Sequence, residues 1–510
     1  MEATKDCKVT DNRINNNMEL EDLPDHLIHK IMHLLPYEEA AKFSVLSKSL
    51  YSSWLSFPTL NFNYKSTSAE DISYEYHTFF NIVQKTLQLR GPYIKGSLHN
   101  LSIYYYRGRS NGYPKVFDVL LNFAIENKVK ELNITEPNIT ELAAFFLNVN
   151  NDSLRPLFSS QFLTVLKFVG VGVPSFDAFI ACPKLEELLF KTCDGFQTIN
   201  VSSSSSLKKV AVECCRGLKG IQILEGKSLH SFMFEGWVFE KNQLCTLDIS
   251  DCPALRVLKL IGTTTITDRW LNRTVQGLRY LEELNIWYCD RLEKMEFENY
   301  NLKKLNLRCW KLKEVVVDVP NLLEFYSDYT ERSLLISHLP AKCIVNIALR
   351  RPLSISTIFL LKRFVSYFNH VKELSLSCVN VEEIIFPKES LRYNLYPLYD
   401  LRHLKLKSVC AISMPSGRTL TRVLKSLFHL VPKPSTITLY RRFTGKARTL
   451  KFEYGKKVEK IGDCCNNDPR KCWRHYEVEI EFQGFDEYER EYLKKFFARK
   501  LSCYGTYIDS

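Results

Sequence analysis

One pattern constrains this chain more than any other. A six-residue frame, apolar-x-x-apolar-x-apolar, returns along most of its length. Clear copies are Leu185/Leu188/Phe190, Leu207/Val210/Val212, Leu229/Phe232/Phe234, Leu244/Leu247/Ile249, Leu255/Leu258/Leu260, Leu281/Leu284/Ile286, Leu302/Leu305/Leu307, Val371/Leu374/Leu376 and Leu401/Leu404/Leu406. Weaker copies occur earlier, at Leu98/Leu101/Ile103, Val129/Leu132/Ile134 and Leu163/Leu166/Phe168. Leu185, Leu207 and Leu229 begin copies 22 residues apart, and Phe196/Ile199/Val201 and Leu218/Ile221/Ile223 repeat the frame midway between them. Each unit therefore holds two short extended segments, one going out and one returning. An amphipathic helix does not fit. The pattern stops after six residues, and turn signals such as Cys193-Asp194-Gly195 follow at once. A single unit cannot bury its anchors, but stacked units share one continuous core. Residues 96–440 have room for about fifteen units.

The rest of the composition is that of a folded protein. Of 510 residues, 45% are hydrophobic and 25% charged, with 19 Gly and 19 Pro, which excludes collagen-like structure and a long flexible linker. Met1 to Met18 are polar, and the most apolar run, near Leu142 to Val149, is far short of the ~20 residues a membrane span needs. A nuclear or cytoplasmic protein with reduced thiols, and no membrane partner, is expected. Cys193, Cys252 and Cys289 lie three residues after the last apolar anchor, and Cys214, Cys309 and Cys378 two residues after it. That recurrence reads as small apolar turn fillers. Cys464, Cys465, Cys472 and His475 lack the paired spacing of a zinc site, so no metal is expected. Gly226-Lys227-Ser228 is no phosphate loop, because Ile221 stands where the motif needs Gly and a strand-like segment follows. No catalytic residue and no cofactor is indicated.

The formal charge of +12 is local. Residues 418–474 hold 15 Lys and Arg against 4 Asp and Glu, so eleven of those charges sit there. The segment includes Arg441, Arg442, Lys446, Arg448, Lys451, Lys456 and Lys457. It reads as a solvated loop and edge, or as a patch for an acidic partner or a nuclear import signal; with almost no net charge elsewhere, nucleic acid is not the expected partner.

The N-terminus has another texture. Leu27, Ile28, Ile31, Leu34 and Leu35 recur at helical spacing after Pro24, and Pro36 stops that helix. Short helices are expected from Glu38 to Phe43 and from Ser44 to Trp54, the latter with Leu46, Leu50 and Trp54 on one stripe. A linking helix follows, with Phe79, Phe80, Ile82, Val83, Leu87 and Leu89 apolar. Near the C-terminus Val478, Ile480 and Phe482 alternate with Glu477, Glu479 and Glu481 as a strand, and Asp486 to Lys500 reads as a helix. The expected fold is α/β: a three-helix module (18–62), a linking helix (63–95), the repeat array (96–440), a basic loop-rich segment (441–475) and a strand-and-helix cap (476–510).

The stretch Leu20-Glu-Asp-Leu23-Pro24-Asp25 through Leu34-Leu35-Pro36, then Ala40-Ala41-Lys42-Phe43-Ser44-Val45-Leu46-Ser47-Lys48 and Trp54, resembles the F-box. With Pro58-x-Leu60-x-Phe62 and the Glu477 to Phe485 run, the chain is similar to plant F-box/leucine-rich-repeat proteins with an FBD-like end region. The family places Arg-Trp where this chain has Ser49-Leu50. The resemblance implies an F-box followed by a curved leucine-rich-repeat solenoid. It implies a non-catalytic substrate-recognition subunit of a Skp–cullin–F-box ubiquitin ligase. Its F-box would dock a Skp-type adaptor, and through it a cullin scaffold, with Leu23, Pro24, Ile28, Ile31, Val45, Leu46, Ser47 and Trp54. Its repeats would hold a protein substrate. The alternative is a repeat scaffold outside that pathway that binds an acidic ligand or nucleic acid through the basic segment.

Overall fold

The structure is a computed structural model. It describes residues 20, 23–63, 72–94, 98–104, 116–136, 147–148, 151–202, 205–236, 244–329, 335–336, 339–349, 355–368, 370–387, 397–408, 417–441, 445, 447–458, 472–498 and 505–509. The chain divides into two compact units, Met1–Pro174 and Ser175–Ser510.

The first unit opens with helices α1 (Asp25–Leu34), α2 (Tyr37–Phe43) and α3 (Lys48–Ser56). Then come β1 (Thr59–Asn63), α4 (Ile72–Ile94), β2 (Asn100–Tyr104), α5 (Val116–Glu126), β3 (Glu131–Thr135), β4 (Leu147–Asn148), α6 (Asn151–Leu157) and β5 (Val165–Val169). Strands β1, β2, β3 and β5 pair in parallel, one residue of each frame beside its counterpart. Leu60, Leu101, Leu132 and Leu166 form one inward row, and Phe62, Ile103, Ile134 and Phe168 the next. All eight are buried. Helix α4 buries Phe80, Val83, Leu87, Arg90 and Ile94 along one stripe. Ile82 and Leu89, read from the sequence as part of that apolar set, face solvent instead, at 55% and 46% exposure.

β6 (Val171–Ile180) leads into the second unit, which continues the same logic. Its elements are β7 (Glu187–Lys191), β8 (Asp194–Val201), β9 (Lys209–Glu213), β10 (Gly220–Ile223), β11 (Ser231–Glu235), β12 (Thr246–Asp248), β13 (Val257–Ile261) and α7 (Asp268–Gly277). They are followed by β14 (Glu283–Trp287), β15 (Lys294–Glu298), β16 (Lys304–Arg308), β17 (Glu314–Asp318), β18 (Glu324–Tyr329), β19 (Leu335–Ile336), β20 (Ile344–Leu349), α8 (Ile355–Ser366), β21 (Glu373–Cys378) and β22 (His403–Ser408). The chain ends in α9 (Gly417–Leu430), β23 (Thr436–Arg441), β24 (Ala447–Lys457), β25 (Tyr476–Gln483), α10 (Glu487–Ala498) and β26 (Gly505–Asp509).

Outgoing strands β7, β9, β11, β13, β14, β16, β18, β20, β21, β22 and β23 pair in parallel in that order. Returning strands pair among themselves, β8 with β10 and β10 with β12, then β15 with β17 and β17 with β19. The alternating frame is thus explained: its apolar positions face the core and its Lys, Glu and Asn face out. Each fully buried Leu or Phe contributes roughly 2 kcal/mol.

The spacing is not uniform. Register partners lie 22 residues apart from β7 to β11, but 20 apart from β18 to β20 and 33 apart from β22 to β23. The long interval carries α9, a bulkier return than a strand. Where the sequence pointed to a basic loop-rich segment at 441–475, the structure places strand β24, antiparallel to both β23 and β25. The C-terminal strand and helix are present. α10 begins with a reciprocal cap: the Glu489 N–H donates to Asp486 Oδ1 at 2.8 Å, and the Asp486 N–H to Glu489 Oε2 at 3.2 Å.

A turn device recurs at the strand ends. Thr192, Cys214, Gly262 and Tyr288 each follow a strand directly and are left-handed, with φ of 48°, 50°, 63° and 56°. Their N–H groups donate to the next outgoing strand or its end, at Glu213 O, Glu235 O, Trp287 O and Arg308 O, at 2.7, 2.7, 2.8 and 2.8 Å. The residue after each turns inward and is buried: Cys193, Cys215, Thr263 and Cys289. Cys214 was expected to be such a filler; it is the left-handed residue itself, and Cys215 takes the inward place. Burial pushes the Cys245, Cys252, Cys343 and Cys378 thiols up to about 12, so they remain neutral and act as small apolar side chains.

Candidate partner-binding face

Helix α1 carries two apolar stripes. Ile28 and Met32, one turn apart, are buried against Ala40, Leu50, Trp54, Leu55 and Phe57. Leu27, Ile31 and Leu34 lie on a second stripe about 100° around the helix. Leu27 and Ile31 are half-buried, and Leu34 is 85% exposed. The turn between α2 and α3 presents Val45 at 82% and Leu46 at 71% exposure. Leu20 and Tyr51 are also exposed. A short module that leaves so many large apolar side chains in water has a surface for a partner.

The geometry separates the eight residues singled out from the sequence. Ile28 and Trp54 belong to the core. Leu23 packs against it while half-buried. Ser47 caps α3, its Oγ accepting the Leu50 N–H at 3.2 Å. Pro24 is exposed at the cap of α1, one position before the first helical residue. Ile31, Val45 and Leu46 are the ones a partner can reach. The third helix starts at Lys48, not Ser44, so Leu46 does not share a stripe with Leu50 and Trp54. Leu34 was read only as one of five apolar residues at helical spacing; its place on the second stripe with Leu27 and Ile31 was the signal for its exposure. Leu50, where the family has Trp, is buried in the module core.

Polar contacts fix the module. Ser53 Oγ donates to Asp25 Oδ1 at 2.5 Å, and His29 Nε2 donates to Ser53 O at 2.8 Å, tying α1 to α3. Arg90 of α4, fully buried, donates to Leu55 O at 3.4 Å, to Thr59 O at 3.3 Å and to Phe57 O. Its guanidinium carbon lies 4.9 Å from the centre of the Trp54 ring. The positive group meets the C-terminal carbonyls of α3, where the helix dipole favours it.

Residues 20–61 match the F-box domain. The chain carries an F-box domain. The matched residues run into β1, the first strand of the sheet, where Leu60 is buried in the inward row. Three relatives from Arabidopsis thaliana extend the likeness. An F-box/FBD/LRR-repeat protein is 29% identical over 249 residues, 46% of this chain and 46% of the relative. An FBD-associated F-box protein is 24% identical over 326 residues, 62% of this chain and 61% of the relative. An F-box/LRR-repeat protein is 37% identical over 70 residues, 14% of this chain and 22% of the relative. The match covers less than two thirds of each relative's length. Over that part of its length the chain is similar to plant F-box/LRR-like proteins.

The basic segment is only partly a free surface. Arg448 pairs with Glu489 at 2.9 Å and Lys451 with Glu481 at 3.0 Å, on β24 and its neighbours. Lys456 and Lys457 are exposed. Arg441 ends β23, and Arg442 and Lys446 lie outside the described residues. So do Cys464 and Cys465. Cys472 is half-buried and His475 buried, and no group of three metal-ligating side chains occurs among the described residues. No helix among them is long and apolar enough to cross a membrane.

Proposed function

We propose that this protein is the substrate-recognition subunit of a Skp–cullin–F-box ubiquitin ligase. The exposed stripe and turn of the F-box, with Leu34, Val45 and Leu46, carries this reading. Their burial against a Skp-type adaptor would contribute roughly 1.5–3 kcal/mol per side chain. The adaptor links to the cullin scaffold. The strand-rich region is a leucine-rich-repeat solenoid that holds a protein substrate and has no catalytic role, and the complex works in the nucleus, the cytoplasm or both. The parallel register of frame upon frame and the FBD and LRR names of the relatives support this. The acidic-ligand alternative is weaker, because two of its seven cations are already paired.

The test is capture of the full chain by a purified Skp-type adaptor. Val45→Asp with Leu46→Asp is expected to lower capture at least tenfold, because it places charges in a desolvated contact, and to leave the melting temperature within a degree or two. Absence of capture, or capture indifferent to that double variant and to Leu23→Ala with Pro24→Ala, sinks the reading.

A further inference from the structure

On the outward face of the second unit's large sheet, most charges are answered across the strands. Lys259 pairs with Glu283 at 3.3 Å, Lys304 with Glu324 at 3.3 Å and Lys405 with Glu373 at 2.5 Å. Arg308, at the end of β16, is different. Its guanidinium lies between two rings, 4.2 Å from the centre of Trp287 and 4.7 Å from that of Tyr326. No ion pair joins it to a carboxylate among the described residues, Asp328 on β18 included. Arg308 Nε and Trp287 Nε1 are buried donors with no acceptor there.

Exposed rings stand beside it. Trp310, two residues on from Arg308, is 60% exposed, and Tyr288, next to Trp287, is 39% exposed. Their ring centres are 6.0 Å apart, edge to face. Trp, Tyr and Arg are the residues that dominate protein contacts. Four strand spacings away on the same face, Lys407 touches Asn346 Oδ1 at 3.3 Å and has no ion pair among the described residues. At ~4.8 Å per spacing the two cations are about 19 Å apart, the reach of roughly six extended residues.

We propose that this face binds an acidic, partly apolar peptide segment of a protein partner. A carboxylate pairs with the fork of Arg308, an apolar side chain seats on Tyr288 and Trp310, and a second acid reaches Lys407. The rings hold the planar guanidinium in one orientation, which favours a two-point carboxylate contact. Lys259, Lys304 and Lys405 on the same face are already paired with Glu283, Glu324 and Glu373, so the face offers separate cationic points rather than the continuous basic stripe a phosphate backbone needs. This inference rests on the strand-rich region being the substrate-binding part.

The test uses the full chain and a positional-scanning library of octapeptides. Pools that place Asp or Glu beside Leu, Phe or Trp are expected to bind, and the best peptide to lose at least tenfold in affinity on Glu→Gln replacement. Arg308→Gln and Trp310→Ala are each expected to weaken binding at least tenfold, and Arg308→Lys to recover only part of it. Trp310 is exposed, so its variant keeps the fold, which a circular dichroism melt checks. Selection of neutral or basic pools, unchanged binding by both variants, or a single-stranded RNA oligomer that displaces the peptide overturns the proposal. Adaptor capture by the same variants is expected to stay at the wild-type level. Peptide failure with intact capture removes this inference alone, and loss of capture in the wild type removes the ligase reading alone.

Discussion

Arg90 has no exposed surface, and the cost of burying a guanidinium is offset by the carbonyls of Leu55, Phe57 and Thr59 and by the Trp54 ring. A single residue thus joins the linking helix to the end of α3 and the start of β1. Arg90→Ala is expected to lower stability by about 3 kcal/mol, the scale of several hydrogen bonds to a charged group. Arg90→Lys is expected to recover less than half, because an ammonium cannot span the three carbonyls as a planar fork does. Chemical denaturation followed by tryptophan fluorescence measures both. An Arg90→Ala variant as stable as wild type would show that Trp54 is held by packing alone. Arg90 was invisible as a structural residue in the sequence, since a basic side chain in a helix is normally a solvated one. Its stripe partners Phe80, Val83 and Leu87 were legible as apolar residues at helical spacing, although the same apolar set held Ile82 and Leu89, which face solvent.

The strand-end turn is the unit in which repeat and chemistry meet. After β7, β9, β13 and β14, a left-handed residue followed by an inward small one donates its N–H to the next outgoing strand. Glycine takes that conformation without cost, and Gly262 does so. Thr192, β-branched at φ 48°, pays for it. Thr192→Gly is therefore expected to raise stability by about 1 kcal/mol, even though it gives the unfolded chain more freedom. A thermal melt that shows no gain or a loss would mean that Thr192 Oγ1, donating to Lys191 O at 2.8 Å, repays the strain. The outgoing strands were readable because Leu-x-x-Leu-x-Leu fixes both period and facing. The Cys offset was readable as a turn filler, but not which of Cys214 and Cys215 fills it, because two adjacent cysteines carry no mark of which one is left-handed. The length of each return was also hidden. Helices α7, α8 and α9 replace return strands without altering the outgoing frame. In the F-box, one stripe of α1 and the core were legible together, and only burial separated Ile28 from Leu34.

At the scale of the molecule, the surplus charge and the proposed partner surfaces lie in different stretches of the chain. Eleven of the twelve formal charges fall in residues 418–474, whereas the exposed apolar side chains of the F-box lie within 20–51 and the Arg308 cluster on β14 to β18. Two of the basic residues of β24 are already paired: Lys451 with Glu481 near the surface, where such a pair contributes about 1 kcal/mol or less, and Arg448 with Glu489 in a largely buried contact. If the basic segment carried function, binding would weaken steeply with salt, because each phosphate or carboxylate contact displaces counterions. If function resides in the apolar face and the stacked guanidinium, neutralising the exposed cations changes little. Lys456→Gln with Lys457→Gln is therefore expected to leave ubiquitin transfer to the substrate, in a ligase reconstituted with the Skp-type adaptor and cullin, within twofold of wild type. Leu46→Asp in the same assay is expected to abolish it. The reverse pattern, with transfer lost on Lys456→Gln and Lys457→Gln but preserved on Leu46→Asp, would move the functional surface to the basic segment and favour the scaffold alternative, since desolvated apolar contacts resist salt while solvated charges do not.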